Sequence, residues 1–224
     1  MLKYAIAAEE PVAIRYPRGE ACDLWKDQRA PIQKGCAEVL AEGTYAALFA
    51  IGSMVETAWQ VRRKLAEKGI PTTVVNARFA MPLDKNCLRK LAESHPLLVT
   101  MEENVASGGF GEHVAAFLEE EALHTKVLRI AIPDCFVEHG SVGELKKALG
   151  LDADSVTEKN ISRITGGIMK ERLDVLLVKR GLAPSREKAK TMIMEGNDLS
   201  TITGRIRREV LLQRMLRLRS TEIH

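Results

Sequence analysis

The sequence predicts an α/β fold of three layers, with a mainly parallel five-stranded sheet, one antiparallel edge strand and a small helical extension at the C-terminus. Between residues 36 and 150, short apolar and β-branched runs alternate with amphipathic stretches of helical length. Strands that alternate with such helices form βαβ units, whose sheet is covered on both faces. A hydrophobic content of 46% and a charged content of 28% are ordinary for a globular chain.

The first elements lie between residues 36 and 77. "CAEVLAEGTYAALFAIGS" (36–53) predicts two strands joined by a hairpin-like turn at Glu42-Gly43, the first being the antiparallel edge strand. "METAWQVRRKLAEKG" (54–69) predicts a helix, because its apolar residues recur at helical spacing and a glycine ends it. "PTTVVNA" (71–77) predicts a strand.

Two later helices begin at capping residues, Asp84 for residues 84–95 and Ser141 for residues 141–150. The remaining predicted elements are a strand at 96–104, a helix at 108–123 and a strand at 126–133.

Residues 1–30 do not fit this pattern. "PVAIRYP" (11–17) predicts one strand, and the polar stretch behind it is typical of a linker, so we interpret this region as the end of a preceding domain. Acidic residues outnumber basic ones over residues 1–160, whereas basic residues dominate 161–224. Two segments with different partners are therefore expected, the second suited to a polyanion.

Several kinds of site are disfavoured by composition. Cys22, Cys36, Cys87 and Cys135 are scattered without a CxxC pair, which favours free thiols in a reducing cytoplasm over a metal or redox site. No apolar run reaches the roughly 18–20 residues of a membrane helix, and the N-terminus makes a poor signal peptide. We expect a soluble cytoplasmic protein with no membrane partner.

"IRYPRGE" (14–20) is the first candidate site. Pro17 and Gly19 predict a turn that places Arg15 and Arg18 near the carboxyl end of a sheet, where open α/β folds bind ligands. A guanidinium there suits a phosphate, although on spacing alone a surface arginine in a turn is the favoured explanation.

"MEENVASGGFGEHVA" (101–115) is the second candidate. A glycine-rich loop that enters a helix can bind an anion, but Glu102 and Glu103 would repel a phosphate. The alternative is close packing of loop against strand, with Glu103 capping the helix and His113 at the surface or an interface.

"PDCFVEHGS" (133–141) is the third. Asp134, Glu138 and His139 could form an acid/base or metal cluster, or only the turn that enters a helix. No second histidine or placed nucleophile accompanies them, so we assign no catalytic residue and no metal ligand.

Five motifs occur here in the order in which the 1-deoxy-D-xylulose-5-phosphate synthase family carries them. They are "PVAIRYPRGE", "AIGSMVETA", "VVNARFAMPLD", "LLVTMEENVASGGFGEHV" and "IPDCFVEHGSVGELKKALGLD". Residues 1–159 thus resemble the C-terminal part of these transketolase-like enzymes, which condense pyruvate with glyceraldehyde 3-phosphate in isoprenoid precursor synthesis. The resemblance implies a remnant of the pyrimidine-binding domain and linker at 1–30 and a C-terminal domain at 31–159.

The resemblance also implies a chemistry. The family uses thiamine diphosphate and Mg²⁺, forms homodimers and contacts the substrate phosphate through the position of Arg18. The family's cofactor-binding domains correspond to sequence upstream of Met1, so no cofactor is expected on this chain and no synthase activity from it alone.

"ERLDVLLVKRGLAPSREKAKTMIMEGN" resembles the RNA-binding domain of ribosomal protein S-four, as found at the start of haemolysin-A-type ribosomal RNA methyltransferases. The resemblance implies a linker at 160–168, followed by an incomplete helix pair at 169–197 in which Ser185 caps the second helix. Five basic residues would face RNA phosphates: Arg172, Lys179, Arg180, Arg186 and Lys190.

Residues 198–224 depart from that family, whose second helix is followed by short strands. This arginine-rich stretch predicts an irregular basic tail. We hypothesise that the chain reads through two adjacent reading frames, with frameshifts near residues 160 and 197. The rival interpretation is an RNA-binding protein that carries its basic helices on an α/β scaffold.

Overall fold

A computed structural model describes residues 1–16, 30–166, 184–185 and 187–188. The chain divides into two compact units, Met1–Glu158 and Lys159–His224. The elements of the first unit are α1 (Leu2–Ala7), β1 (Glu38–Ala41), β2 (Ala46–Ala50), α2 (Met54–Glu67), β3 (Thr72–Asn76), α3 (Lys85–Ser94), β4 (Leu97–Val105), α4 (Phe110–Glu120), β5 (Lys126–Ile132) and α5 (Val142–Ala148). A further helix, α6 (Ala153–Gly166), begins in the first unit and ends in the second.

The five strands form one sheet in the order β1-β3-β2-β4-β5. Strands β3, β2, β4 and β5 are parallel, and β1 is the antiparallel edge strand. The predicted fold class is confirmed. The predicted hairpin is wrong, however, because β1 pairs with β3, with Glu38 opposite Asn76, and β2 lies between β3 and β4.

Gly43 shows why the chain crosses over instead of turning back. Its N–H donates to Thr73 Oγ1 at 2.9 Å, and the Thr73 hydroxyl donates to the Gly43 carbonyl at 3.0 Å. A Cβ atom at Gly43 would lie 2.4 Å from the Thr72 nitrogen. The glycine therefore allows the chain to pass closely over the start of β3 on its way to β2.

Helices cover the sheet on both faces. α3 and α4 bury one face, where Phe49 of β2 stacks on Phe110 of α4 with ring centroids 5.4 Å apart. α2 packs against β2, β3 and β4 and covers the alternate side chains of these strands, which are also buried. The result is a three-layer core built mainly from alanine, valine and leucine.

The predicted caps at Asp84 and Ser141 are confirmed. The Asp84 carboxylate accepts the Cys87 N–H at 2.8 Å, and Ser141 forms a capping box with Glu144. In the second unit, the Lys188 N–H donates to Ser185 Oγ at 3.2 Å, as expected for a cap at Ser185.

The predicted strand at 11–17 is absent over residues 11–16. No described residue pairs with this stretch, and a strand needs a hydrogen-bonded neighbour. Among the described residues, no helix combines the length and the apolar character of a membrane span.

Candidate functional site

The carboxyl ends of the parallel strands form the edge at which open α/β folds bind ligands. β2 leads through Gly52 and Ser53 into α2, and β4 carries Glu102 and Glu103 near its end. β5 leads into an exposed loop before α5. Two neighbouring carboxylates thus lie where the sequence predicted a site.

Glu102 caps α4. It is only 2% exposed, and its carboxylate accepts the N–H groups of Phe110 at 2.8 Å and Gly111 at 2.7 Å. A Cβ atom at Gly109 would lie 2.7 Å from Glu102 Oε2. The glycines therefore leave room for an internal carboxylate at the helix N-terminus, where its charge is favourable.

This geometry decides between the two interpretations of the glycine-rich loop. Close packing of loop against strand is correct, and an anion cradle is not, because Glu102 already takes the helix N-terminal amides. The expectation that Glu103 caps the helix is wrong, since neighbouring side chains of a strand point to opposite faces. His113 is exposed, as expected.

Glu103 joins three segments that are distant in the chain. Its carboxylate lies 2.6 Å from Lys146 Nζ of α5 and accepts the Ser53 hydroxyl at the start of α2. The Arg15 guanidinium donates to the Glu103 carbonyl oxygen at 3.1 Å. We call this arrangement the Glu103 cluster.

Electrostatics keep this carboxylate charged. Burial acts to raise the pKa of Glu103, but hydrogen bonds from Lys146 and Ser53 and the charges of Lys146 and Arg15 outweigh it. The pKa of Glu103 therefore falls below its ordinary value. A carboxylate so held is a poor proton carrier near neutral pH, so the cluster is suited to joining segments rather than to acid/base chemistry.

Arg15 reaches the carboxyl edge of the sheet, as its motif predicts. Arg18 lies outside the described residues. The residues predicted to bind RNA also lie outside them: Arg172, Lys179, Arg180, Arg186 and Lys190.

The third candidate site resolves as a helix-entry turn. Asp134, Glu138 and His139 are exposed, and the chain then enters α5 at the Ser141 cap. In residues 1–16 and 30–166, no three His, Cys, Asp or Glu side chains are placed to hold a metal ion.

Three cysteines lie in the described region. Cys36, Cys87 and Cys135 are free, and Cys22 lies outside the described residues. Burial raises the pKa of the Cys87 thiol to about 11, and the charge of Asp84 adds to this effect. Cys87 is therefore a protonated packing residue near neutral pH.

Arg78 was not singled out from the sequence. Its guanidinium lies 2.6 Å from Glu38 Oε2, and both side chains are buried. It also donates to the carbonyls of Pro31 and Ala30, which fixes the chain ahead of β1 against the sheet edge. The feature of the sequence that could have identified Arg78 is a charged residue directly after the apolar strand predicted at 71–77.

The sequence matches two families. Residues 35–156 match the transketolase C-terminal domain, and residues 171–197 match the S4 domain. Both resemblances drawn from the motifs are thereby confirmed at the level of these domains.

Individual relatives agree with the first match. The chain is 50% identical over 160 residues to the 1-deoxy-D-xylulose-5-phosphate synthase of Lachnoclostridium phytofermentans, an alignment covering 71% of this chain and 26% of that protein. It is 44% identical over 158 residues to synthase 1 of Geobacter sulfurreducens, covering 70% and 25%. The chain thus spans about a quarter of the length of the curated relatives it matches.

A solved structure described as a split-gene transketolase, an inactive β4 tetramer, has the same fold. It superposes with a TM-score of 0.58 at 29% identity, and the alignment covers 61% of this chain and 44% of that one.

Proposed function

Because the chain belongs to the family of transketolase C-terminal domains, we propose that it is the C-terminal part of a 1-deoxy-D-xylulose-5-phosphate synthase and is inactive alone. The observation that carries this proposal is the 50% identity to a synthase that is about four times as long as the matched region. Enzymes of this class condense pyruvate with glyceraldehyde 3-phosphate and release carbon dioxide.

The carboxylates at the end of β4 are not available to the cofactors of such a synthase. Mg²⁺ that holds a diphosphate is coordinated by one or two protein carboxylates together with phosphate oxygens. The two carboxylates of the strand end are already bound, Glu102 by helix amides and Glu103 by Lys146 and Ser53. We therefore assign the cofactors to the part of the synthase that precedes this region.

Arg18 is the residue we propose to bind the substrate phosphate in the assembled enzyme. Its motif neighbour Arg15 reaches the carboxyl edge of the sheet, where open α/β folds bind ligands, and this supports the role. A homodimer in the cytoplasm is the proposed state of the complete synthase, by analogy with the family.

The test is an assay of the purified chain with pyruvate, glyceraldehyde 3-phosphate, thiamine diphosphate and Mg²⁺. We expect no turnover, while the intact Lachnoclostridium phytofermentans synthase turns over under the same conditions. Turnover by the chain alone would contradict the proposal.

A second function is favoured by the S4 match at residues 171–197 and by the excess of basic residues behind residue 160. Lysine and arginine contacts to phosphates give sequence-independent binding that weakens steeply with salt. RNA retention measured at increasing salt, with and without truncation at residue 168, tests this role. Retention that survives truncation would assign binding to residues 1–168 and rule out the S4 segment.

A further inference from the structure

The segment that follows β5 packs poorly on its own domain. Residues 133–144 are all exposed, and α5, which ends this segment, buries none of its residues. Phe136 is fully exposed and Val142 is 63% exposed. A phenylalanine normally buries a large apolar area, and its neighbour Val137 is exposed as well. Apolar side chains that are exposed together indicate a surface that another body covers. We call residues 133–148 the arm.

The arm is joined to the sheet through the Glu103 cluster. Lys146 of the arm meets the Glu103 carboxylate at 2.6 Å, and Arg15 meets the carbonyl of the same residue at 3.1 Å. Tyr16, next to Arg15, is 80% exposed. Each of the two segments that meet at Glu103, the arm and residues 11–16, therefore carries an exposed aromatic residue.

The identity of the covering body follows from this convergence. Residues 11–16 have the sequence of a strand, but no strand of the described chain pairs with them. The matched family is a C-terminal domain, so the further length of the synthases precedes the matched region. A preceding domain would connect through residues 1–16, which meet the arm at Glu103, and would lie against it.

We propose that the arm and Tyr16 form the surface on which the preceding, cofactor-binding part of a synthase chain docks. This inference rests on the proposed function. Aromatic and aliphatic side chains supply the apolar centre of such an interface. The Glu103 cluster holds the two parts of this surface together, the arm through Lys146 and the segment of Tyr16 through Arg15.

The test measures binding of the full chain to a probe. The probe is the Lachnoclostridium phytofermentans synthase without the region that matches this chain, first shown to melt cooperatively and to bind thiamine diphosphate. Sedimentation velocity gives the affinity for the wild-type chain, for Phe136→Ser/Val142→Ser and for the control Val39→Ser. Val39 is an exposed apolar residue of β1, at the sheet edge opposite β5.

We expect the wild-type chain and Val39→Ser to bind equally and the arm variant to bind at least about tenfold more weakly. All substituted side chains are exposed, so unchanged thermal melting confirms folding. Equal binding by the arm variant overturns the docking surface. Self-association of the wild-type chain that the arm variant abolishes also overturns it, in favour of a second copy of this chain.

Synthase turnover of the mixture separates this inference from the proposed function. Turnover that is restored by wild-type chain and arm variant alike supports the function and overturns docking through the arm. Binding through the arm without any turnover supports the docking surface and contradicts the function. A folded probe that binds no chain at all overturns both.

Discussion

The carboxylate of Glu102 accepts the backbone N–H of Gly111 at 2.7 Å, at the first turn of α4. Thr100 lies on the same face of β4 and leaves no space for a side chain at Gly111, because a Cβ atom there would lie 2.4 Å from Thr100 Oγ1. The side chains of β4 therefore determine which positions of the glycine-rich loop and of the first turn of α4 must be glycine.

Gly111→Ala should therefore destabilise the domain by about 1–3 kcal/mol, because α4 must move away from β4 and weaken the Glu102 cap. Urea unfolding followed by circular dichroism measures this change. Gly143→Ala in α5 is the matched control, since its Cβ atom would meet nothing within 4 Å. That variant should be neutral or slightly more stable, because alanine is the better helix former.

Glu38→Ala should cost about 3–5 kcal/mol, because it leaves the buried Arg78 guanidinium without its counter-charge. The variant also frees the Ala30 N–H, which donates to Glu38 Oε1 at 2.6 Å. Glu121→Ala, which breaks an exposed pair with Arg89, serves as control and should cost no more than about 1 kcal/mol. Equal losses in the two variants would mean that Arg78 is not effectively buried.

His95 should make stability depend on pH. Burial lowers its pKa, although the carbonyls of Gly43 and Leu91 act in the opposite direction. The unfolded chain then binds the proton more readily than the folded one, so this contribution is complete above a pH of about 6.5 and falls as the pH drops below it. Urea unfolding between pH 8 and pH 5 measures the slope.

Replacing His95 with Gln should flatten that slope, whereas His113→Gln on the exposed face of α4 should retain it. An unchanged slope in the His95 variant would assign the pH dependence to other groups.

Lys146→Met should loosen α5, since it removes the partner of Glu103. Amide hydrogen exchange at pH 7 should quicken about 3–10-fold over residues 142–148, because few other contacts restrain this helix. Lys147→Met, a change at the exposed neighbouring position, should leave exchange as in the wild-type chain. Acid should act like Lys146→Met, because the lowered pKa of Glu103 gives stability above its ordinary range near 4.3 that is lost as the pH falls.

Much of the fold could be predicted from neighbouring residues alone. The Asp84 and Ser141 caps depend on contacts three residues away, and the alternation of strand and helix depends on periodicity within each segment. The carboxyl edge was also predictable as the meeting place of Arg15 and the paired glutamates, since parallel strands end together.

The rest depended on contacts between distant segments. β1 and β2 are separated by a short stretch that looks like a turn, and only the close passage of Gly43 over Thr72 shows that β3 lies beside β1. A local pattern carries no information about which strand becomes the neighbour.

The sequence by itself determined the family, the alternation of strands and helices between residues 36 and 150 and the caps at Asp84 and Ser141, because these follow from motifs and from residues adjacent along the chain. The tertiary structure decided which glutamate does what. Glu102 faces α4 and caps it, while Glu103 faces Ser53 and Lys146. The two are adjacent and chemically identical, so only the layer packed against each face of β4 distinguishes them.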